Sequence, residues 1–479
     1  MRAAAAVAAI LGLVAVVVGQ PQPPLAVPPN PPAAPVKVGV PALPAAPAAL
    51  ELKPDPAVAA HIRNLGADDY RVREKAGRDL EAVGDKALPH LKKALAEPTT
   101  PEVARRLSVL VRKIDHERLV SPRRVTMPEK ERTAKEAFDE IAKQTGYRIE
   151  FQSDFGAAPV RHKISFNNTP FWQAVDTIAN LTGATINSNG GDDETLFVNT
   201  GGGQRMPFVA YAGPFKIAAN NIQLNRSMQL TSADPRGPGF VRPSESVTVM
   251  FNLFSEPKNP MLGLSMGPGV VSAEDDLGQS MAPPPPPEGG HNPFGGRMSY
   301  YGGGFGSRSF QMSGSLGLVR GGREARTIRS LKAKVNVNLL TGVIPEVSVA
   351  DPLKAKNLKL TGRTVEVDLE SVTAANGGYS AAMTIRKLGA LDPNNHDFSW
   401  IQNVHQKVEL FDAAGNKYRA NWANMSNQNQ MSVTMTVPFH PMDRRGMMQK
   451  LGPPVRLVVN EWVQATHEVT FEFRDVPLP

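Results

Sequence analysis

The sequence predicts a multidomain protein with an α-helical repeat-like module, a small α/β domain and an antiparallel β-sandwich. Three observations predict this order. Apolar residues recur at helical spacing between residues 56 and 120, and a helix followed by a strand occurs twice between residues 121 and 200. Short alternating apolar segments separated by turn residues then continue from residue 205 to residue 479. The 479 residues, 41% of them hydrophobic, are sufficient for several cores.

The first 19 residues have the composition of a secretory signal peptide. Arg2 precedes an apolar run from Ala3 to Val18, and Val17 and Gly19 suit a cleavage site after Gly19. An uncleaved membrane anchor is the alternative, although a run of about 16 apolar residues is short for a span. We therefore expect an extracytoplasmic protein, periplasmic or secreted, that keeps no stable transmembrane span after cleavage.

Residues 20–55 are rich in Pro and Ala, and Lys37 is the only charged residue before Glu51. A segment of this composition cannot bury a core, so it predicts an extended linker. The alternative is a ligand for an aromatic groove, but such ligands usually carry basic residues beside the prolines.

Charge and cysteine content limit the possible functions. The net charge of +8 comes from 53 basic and 45 acidic residues that are scattered along the chain. Because the basic residues form only short groups, we do not expect nucleic acid binding. The chain contains no cysteine, which excludes disulfides, thiol catalysis and cysteine-ligated metal sites.

Residues 56–120 are predicted to form three or four short helices, each with one apolar face. These faces contain Val72, Ala76, Leu80 and Val83, then Leu88, Leu91 and Leu95, then Val103, Leu107, Leu110, Val111 and Ile114. The stretch from Asp69 to Leu91 resembles a HEAT-type helical repeat, and Pro101 resembles the opening of the next. HEAT-like arrays need about three units, which is more than this module has. It is therefore either a packed structural bundle or a concave protein-binding surface that leans on a neighbour.

The α/β domain, residues 121–200, contains an internal repeat. Residues 137–149 recur as residues 174–186, 37 positions later, with seven of thirteen identical. Each copy predicts a helix that ends at a Gly, Gly146 or Gly183, followed by a strand. With the flanking strands, the repeat predicts a βαββαβ domain.

The repeat also assigns the helix faces. Ile141 and Ile178 are expected to be buried against one sheet, and Trp172 is expected to be a packing residue. Asp139 and Asp176 occupy equivalent positions away from the apolar stripe, so both are expected to face solvent.

The motif of this domain is a helix closing on Ile-Ala-x-x-Thr-Gly before an alternating strand, then Phe171-Trp172-x-Ala174 at the next helix. It resembles the short N-terminal domain of secretins and TonB-dependent receptors. The resemblance implies a small α/β unit that makes protein contacts in the bacterial periplasm. No recognisable pore region or transmembrane barrel follows, so the resemblance implies an adaptor and not a transporter.

Residues 205–479 are predicted to form one β-sandwich, because short strand signals and turn signals alternate along them. Residues 257–322 interrupt this pattern with an unbroken proline run, Pro283 to Pro287, and with Gly-rich sequence. We expect this insert to be a disordered surface loop whose deletion leaves folding nearly intact.

The sequence offers no catalytic, cofactor-binding or metal-binding residues. The nine His are isolated, and neither a zinc motif nor a nucleophile motif occurs. The preferred hypothesis is therefore a non-enzymatic exported envelope protein that binds or scaffolds protein partners in the cell envelope. One alternative is an envelope hydrolase with a dispersed site. The other is carbohydrate or cell-wall binding by the sandwich, for which the aromatic candidates are Trp400, Trp422, Trp462 and Tyr418.

Overall fold

The computed structural model describes residues 55–152, 160–187, 195–200, 206–229, 242–264, 269–284, 308–389, 399–402, 404–442 and 447–479. The protein is a β-rich multidomain chain, and its residues from Pro56 onward form one compact unit. The predicted signal peptide and the predicted linker, apart from Asp55, lie outside the described residues.

The helical module contains four helices, α1 Pro56–Asn64, α2 Tyr70–Val83, α3 Leu88–Ala96 and α4 Pro101–Val120. Helix α4 begins as its sequence suggests, because the Thr100 side chain accepts from the Val103 N–H and Pro101 occupies the first turn. The predicted apolar faces meet in one core, where Leu80, Leu91 and Ile114 are buried; the exception is Val72, which is 38% exposed.

The α/β domain contains β1 Arg124–Arg132, α5 Ala134–Thr145, β2 Arg148–Gln152, β3 His162–Pro170, α6 Phe171–Thr182, β4 Ala184–Asn187 and β5 Thr195–Thr200. Thr133 and Glu136 form a capping box at the start of α5. Gly146 and Gly183 end the two helices in the left-handed conformation, as predicted.

The expectation of a single sheet is wrong, because the described strands of this domain form two sheets. Strands β1 and β3 pair as one sheet, and β2, β5 and β4 form the other. The order is βαββαββ, one strand more than the predicted βαββαβ. Helix α5 contacts β1 and β2, whereas α6 contacts β3 and β4, so the helices reach strands of both sheets. Ile141 and Ile178 are fully buried, as expected.

Among the described residues after the α/β domain there are fifteen strands and one short α-helix. They are β6 Phe208–Ala212, β7 Phe215–Gln229, β8 Arg242–Ser255, β9 Met261–Leu264, β10 Gly269–Asp275, β11 Gln311–Val319, β12 Thr327–Ala350, β13 Lys356–Thr361, β14 Val365–Ala375, β15 Gly378–Lys387, α7 Ser399–Gln402, β16 Val408–Asp412, β17 Arg419–Ala420, β18 Asn424–Ser426, β19 Ser432–His440 and β20 Pro454–Pro477.

These strands form two sandwiches, not the single one that the sequence predicted. In the first sandwich the sheet β11-β8-β7-β6 packs on β9, β10, the first half of β12 and the second half of β20. In the second, the sheet β13-β14-β15-β19, extended by β17 and β18, packs on β16, the second half of β12 and the first half of β20.

Strands β12 and β20 explain the difference, because each runs through both sandwiches. Each has 24 residues, and the two pair antiparallel from Thr327 with Pro477 to Ala350 with Arg456. At about 3.3 Å per residue such a strand extends over about 80 Å. The sequence had indicated short separate strands because Gly342, Pro345 and exposed residues interrupt the alternation between the two cores.

The two sandwiches repeat one architecture. Sheet order β11-β8-β7-β6 in the first matches β19-β15-β14-β13 in the second. The hydrogen bond from the Ser255 N–H to the Phe310 carbonyl recurs as Lys387 to Met431, and the bond from Glu256 to Pro214 recurs as Leu388 to Thr364. The sequence shows no comparable repeat, so this duplication is visible only in the structure.

The expectation of a disordered loop over residues 257–322 is also wrong. Strands β9, β10 and β11 lie within this range, and their side chains Met261, Ala273, Leu316 and Leu318 belong to the core of the first sandwich. The prediction was wrong because the Gly and Pro content of the middle of this range was taken to describe the whole range. Short core strands at both ends were therefore assigned to the loop. Residues 285–307 lie outside the described part of the chain.

Candidate functional site at the junctions between modules

Several polar side chains that the protein buries lie where the helical module, the α/β domain and the first sandwich meet. The turn from Ser255 to Asn259, which follows β8, is central to this contact. Ser255, Glu256 and Asn259 are fully buried, and the Asn259 N–H donates to the Glu256 carbonyl at 2.8 Å. The turn therefore presents polar side chains to the other two modules.

The Glu256 carboxyl group joins the first sandwich to two segments of the α/β domain. It accepts from the Arg123 backbone N–H at 3.0 and 3.1 Å, and Arg123 lies between α4 and β1. It also accepts from the Tyr147 hydroxyl at 2.5 Å, and Tyr147 lies between α5 and β2. We call Arg123, Tyr147, Glu256, Lys258 and Asn259 the Glu256 junction.

The electrostatic environment of Glu256 is unusual for a carboxylate. Burial raises its pKa to about 7, although the Tyr147 hydroxyl, the Lys258 ammonium and Arg123 all favour the ionised form. The Lys258 Nζ atom is 3.9 Å from the carboxyl group. Burial and the neighbouring carboxyl group also raise the pKa of Tyr147.

The same turn binds the end of helix α4. Lys258 Nζ donates to the carbonyls of Arg118 and Ser121 at 2.8 and 2.6 Å, and Asn259 Nδ2 donates to the carbonyl of Leu119. The last carbonyls of a helix lack intrahelical donors and carry partial negative charge, so an ammonium and an amide donor are suited to this position. The helical module is thus fixed to the first sandwich at its last turn.

A second polar contact joins helix α6 to the β6–β7 hairpin. Lys216 Nζ lies 2.5 Å from Asp176 Oδ1, and the Tyr211 hydroxyl donates to Asp176 Oδ2 at 2.6 Å. The Asp176 and Lys216 side chains are only 13% and 10% exposed. We call Asp176, Tyr211 and Lys216 the Asp176 contact.

Aromatic rings line this contact. The Lys216 ammonium lies 5.7 Å from the Trp172 ring centre and 5.3 Å from that of Phe254. Trp172 is 2% exposed, and its Nε1 donates to the Pro214 carbonyl at 3.2 Å. The predicted packing role of Trp172 is therefore confirmed, and the ring packs between two modules.

Asp139 and Asp176 were both predicted to face solvent, but their environments differ in the structure. Asp139 is exposed and bonded to Lys135 at 2.6 Å, as expected of a solvated helix face. The same expectation for Asp176 is wrong, because the β6–β7 hairpin covers its face of α6. Lys216 is the sequence feature that could have indicated a buried carboxylate partner, since it places a charge within the apolar run Phe215-Lys216-Ile217-Ala218.

The four aromatic candidates for carbohydrate binding do not form a platform. Trp400 is half-buried and donates to the Gln430 carbonyl at 2.9 Å, and Tyr418 is buried with its hydroxyl on the Gly452 carbonyl. Trp462 is buried with the Lys407 ammonium 5.7 Å from its ring centre. Only the fourth ring, Trp422, is exposed, at 75%, and it stacks on His405 with centres 5.9 Å apart.

Two further buried carboxylates organise turns. Asp275 accepts from the N–H groups of Leu277, Gln279 and Gly322, and these donors lower its pKa although burial opposes ionisation. Asp412 makes the equivalent contacts in the second sandwich, with Ala414, Asn416 and Gly452. Within the described ranges, no group of three or more His, Asp or Glu side chains is placed to hold a metal ion.

Comparison of the chain with protein-family models, curated proteins and solved structures gives no match. Among the described helices, none has the length and apolar character needed to cross a membrane.

Proposed function

We propose that this protein is a non-enzymatic exported envelope protein that binds or scaffolds protein partners, with the paired sandwiches holding the helical and α/β modules in a fixed orientation. The observation that carries the proposal is the unequal use of the duplicated unit. The outer face of α6 docks on the first sandwich through Asp176, whereas the equivalent face of α5 is exposed.

The α6 contact gives an internal precedent for protein recognition by this unit. It consists of a carboxylate that meets a Lys and a Tyr beside buried aromatic rings. The equivalent α5 face presents Lys135, Asp139 and Lys143 to solvent. A charged, rigid helix face of this kind suits a polar protein surface with complementary charges.

The buried polar groups at the junctions support a scaffolding role. Contacts between modules of one chain commonly permit relative motion unless the interface is extensive. Here Glu256, Lys258 and Asn259 bond to both neighbouring modules, so a partner would meet surfaces whose relative positions are set in advance. Such preorganisation lowers the entropic cost of binding.

The sequence resemblances agree with this proposal. The HEAT-like module and the secretin/TonB short N-terminal-like domain both resemble units that contact other proteins, and the apolar N-terminal run favours export. The protein would then work outside the cytoplasm, in the periplasm or as a secreted protein.

Affinity capture from envelope extract tests the proposal. The mature chain is compared with a variant carrying Asp139→Arg and Lys143→Glu on α5, and with a control carrying Lys356→Glu and Glu370→Arg on the second sandwich. Each variant carries two opposite charge reversals, so its net charge is unchanged, and all four substituted residues are exposed. We expect a partner that the wild type and the control retain and the α5 variant loses. Equal retention by all three would contradict the α5 assignment, and no specific partner would contradict the adaptor function.

A second candidate, cell-wall carbohydrate binding, is favoured by Trp422 alone. Its ring is exposed and stacks on His405 at an interplanar angle of 29°, and an apolar ring face of this kind can stack on a sugar. Sedimentation with purified cell-wall polysaccharide tests it, because Trp422→Ala should abolish binding while Trp400→Phe should not. Equal binding by Trp422→Ala and wild type would exclude this candidate.

A further inference from the structure

The Glu256 carboxyl group is placed to link protonation to the contact between modules. It is fully buried, and the two donors at hydrogen-bond distance are neutral groups, the Tyr147 hydroxyl and the Arg123 backbone N–H. The nearest ammonium, that of Lys258, is 3.9 Å away and itself donates to two helix carbonyls. Because this carboxyl group is fully buried, its ionised form has to lose its hydration, and this is costly even with an ammonium group nearby.

We propose that the Glu256 junction is a proton-dependent joint, closed most firmly when Glu256 is neutral and loosened when it ionises. Closing the joint takes up a proton from solvent. The neutral carboxyl group keeps its contacts, because its carbonyl oxygen accepts from Arg123 and its hydroxyl can donate to the Tyr147 oxygen. The anion can keep the same donors but has to lose its hydration.

The direction of the effect follows from the two protonation equilibria. Burial raises the pKa of Glu256 from its ordinary 4.5 to about 7. At pH values between these two pKa values, the closed joint therefore binds a proton that the open joint does not bind. The contribution to closing is fully present below about pH 4.5 and is lost as the pH rises through 7. Between pH 5.5 and pH 8 the closing equilibrium should weaken about 30-fold.

Other charged groups face the junction from each packed element. Arg123, between α4 and β1, and Lys258, on the same turn, both favour the ionised form, and so does the Tyr147 hydroxyl beside β2. A second titratable pair, His116 on α4 and His467 on β20, lies between the helical module and the first sandwich, with ring centres 5.6 Å apart. Burial and His116 lower the pKa of His467, so protonation of His467 weakens the interface in acid and opposes the Glu256 effect.

Hydrogen exchange of the full chain separates these contributions. Peptides that contain residues 119–126 and 144–150 report the opening of the joint, after correction for the intrinsic pH dependence of exchange. The variant Glu256→Gln keeps the shape of the neutral carboxyl group and removes its titration. Glu129→Gln, an exposed carboxyl group on β1, is the matched control.

In wild type and Glu129→Gln, the corrected protection of both peptides should fall about 30-fold more between pH 5.5 and pH 8 than in Glu256→Gln. The comparison with Glu256→Gln cancels the contribution of the His pair. The proposal would be overturned if Glu256→Gln lowered the protection by the same factor at pH 5.5 and at pH 8, because its pH dependence would then match that of wild type. Equal pH dependence in all three proteins would also overturn it.

A second variant keeps the proposal testable if Glu256→Gln does not fold. Tyr147→Phe removes the hydroxyl that favours the ionised carboxylate, so the pH at which the joint loosens should rise relative to wild type. An unchanged or lower midpoint would contradict the proton-dependent joint.

Discussion

Replacing Asp176 by Ala should open the contact between α6 and the first sandwich. The change removes the carboxylate that bonds Lys216 at 2.5 Å and Tyr211 at 2.6 Å. It leaves the ammonium of Lys216, whose side chain is 10% exposed, without its counter-ion. Hydrogen bonds to charged groups contribute about 1.5–3 kcal/mol each, and removal of one member of a buried ion pair costs about 3–5 kcal/mol. Because the Lys216 ammonium keeps its two aromatic neighbours and some access to water, we expect a loss of about 2–4 kcal/mol in the free energy of opening.

The duplicated unit supplies the control for this change. Asp139 occupies the equivalent position on α5 but is exposed and bonded to Lys135 on its own helix. Exposed pairs of this type contribute about 0.3–0.5 kcal/mol, so Asp139→Ala should change stability by less than about 0.5 kcal/mol. Hydrogen exchange of peptides from α6 and from β7, measured in the full chain, gives the change in the free energy of opening for Asp176→Ala and for Asp139→Ala.

A double-mutant cycle assigns the loss to the pair. Asp176→Ala and Lys216→Met are measured alone and together, and a coupling free energy above about 1 kcal/mol is expected for side chains in direct contact. Equal small losses for Asp139→Ala and Asp176→Ala, or no coupling between Asp176 and Lys216, would refute the assignment of this contact.

The remaining predictions concern the cores. Ile141→Ala and Ile178→Ala remove fully buried side chains, and each should cost about 2–5 kcal/mol in a denaturant titration; a loss below about 1 kcal/mol would contradict the packing of that helix. Deletion of residues 260–321 removes β9, β10 and β11 and should abolish cooperative unfolding of the first sandwich, whereas deletion of residues 288–304 removes none of the described strands and serves as the control. A chain that ends at residue 465 loses Val469, Phe471 and Phe473 from the first core but no residue of the second. Hydrogen exchange should then show lost protection in β7 and β8 and retained protection in β14 and β15; equal loss in both would contradict the separation of the two cores.

Local patterns in the sequence were sufficient to predict the helices and the order of helices and strands in the α/β domain. The capping box at Thr133, the terminal glycines Gly146 and Gly183 and the apolar stripe through Ile141 all concern residues within a few positions of each other, so periodicity reveals them. The same local evidence predicted one sheet and not two, because pairing of β1 with β3 depends on a contact that crosses an entire helix.

The two sandwiches were not predictable for a related reason. Strand β20 pairs with β12 over more than a hundred intervening residues, and its second half completes a core whose other strands precede it by far in sequence. Alternation identifies a strand but does not identify its partner. The exposed Val343 and Ile344, at the crossing between the cores, interrupt the alternation where the strand itself continues.

The candidate site was missed because its residues are ordinary in isolation. Glu256 and Lys258 lie at the start of a Pro/Gly-rich range, where charged residues normally face solvent, and Tyr147 reads as part of a strand. Their significance arises from contacts between positions more than 100 residues apart. Only Lys216, a charge within an apolar strand, could have indicated a buried partner.

The central claim, that the sandwiches hold the helical and α/β modules in a fixed orientation, is tested most directly by distances between spin labels. The chain has no native cysteine, so labels attach only at introduced positions. Lys93→Cys on α3 and Asp139→Cys on α5 are each paired with Lys332→Cys on β12, and Asn225→Cys with Lys332→Cys provides a reference within the first sandwich. Fixed modules predict distance distributions between modules as narrow as that of the reference pair. Broad or multiple distances for the pairs with Lys93 and Asp139, beside a narrow reference, would contradict the account.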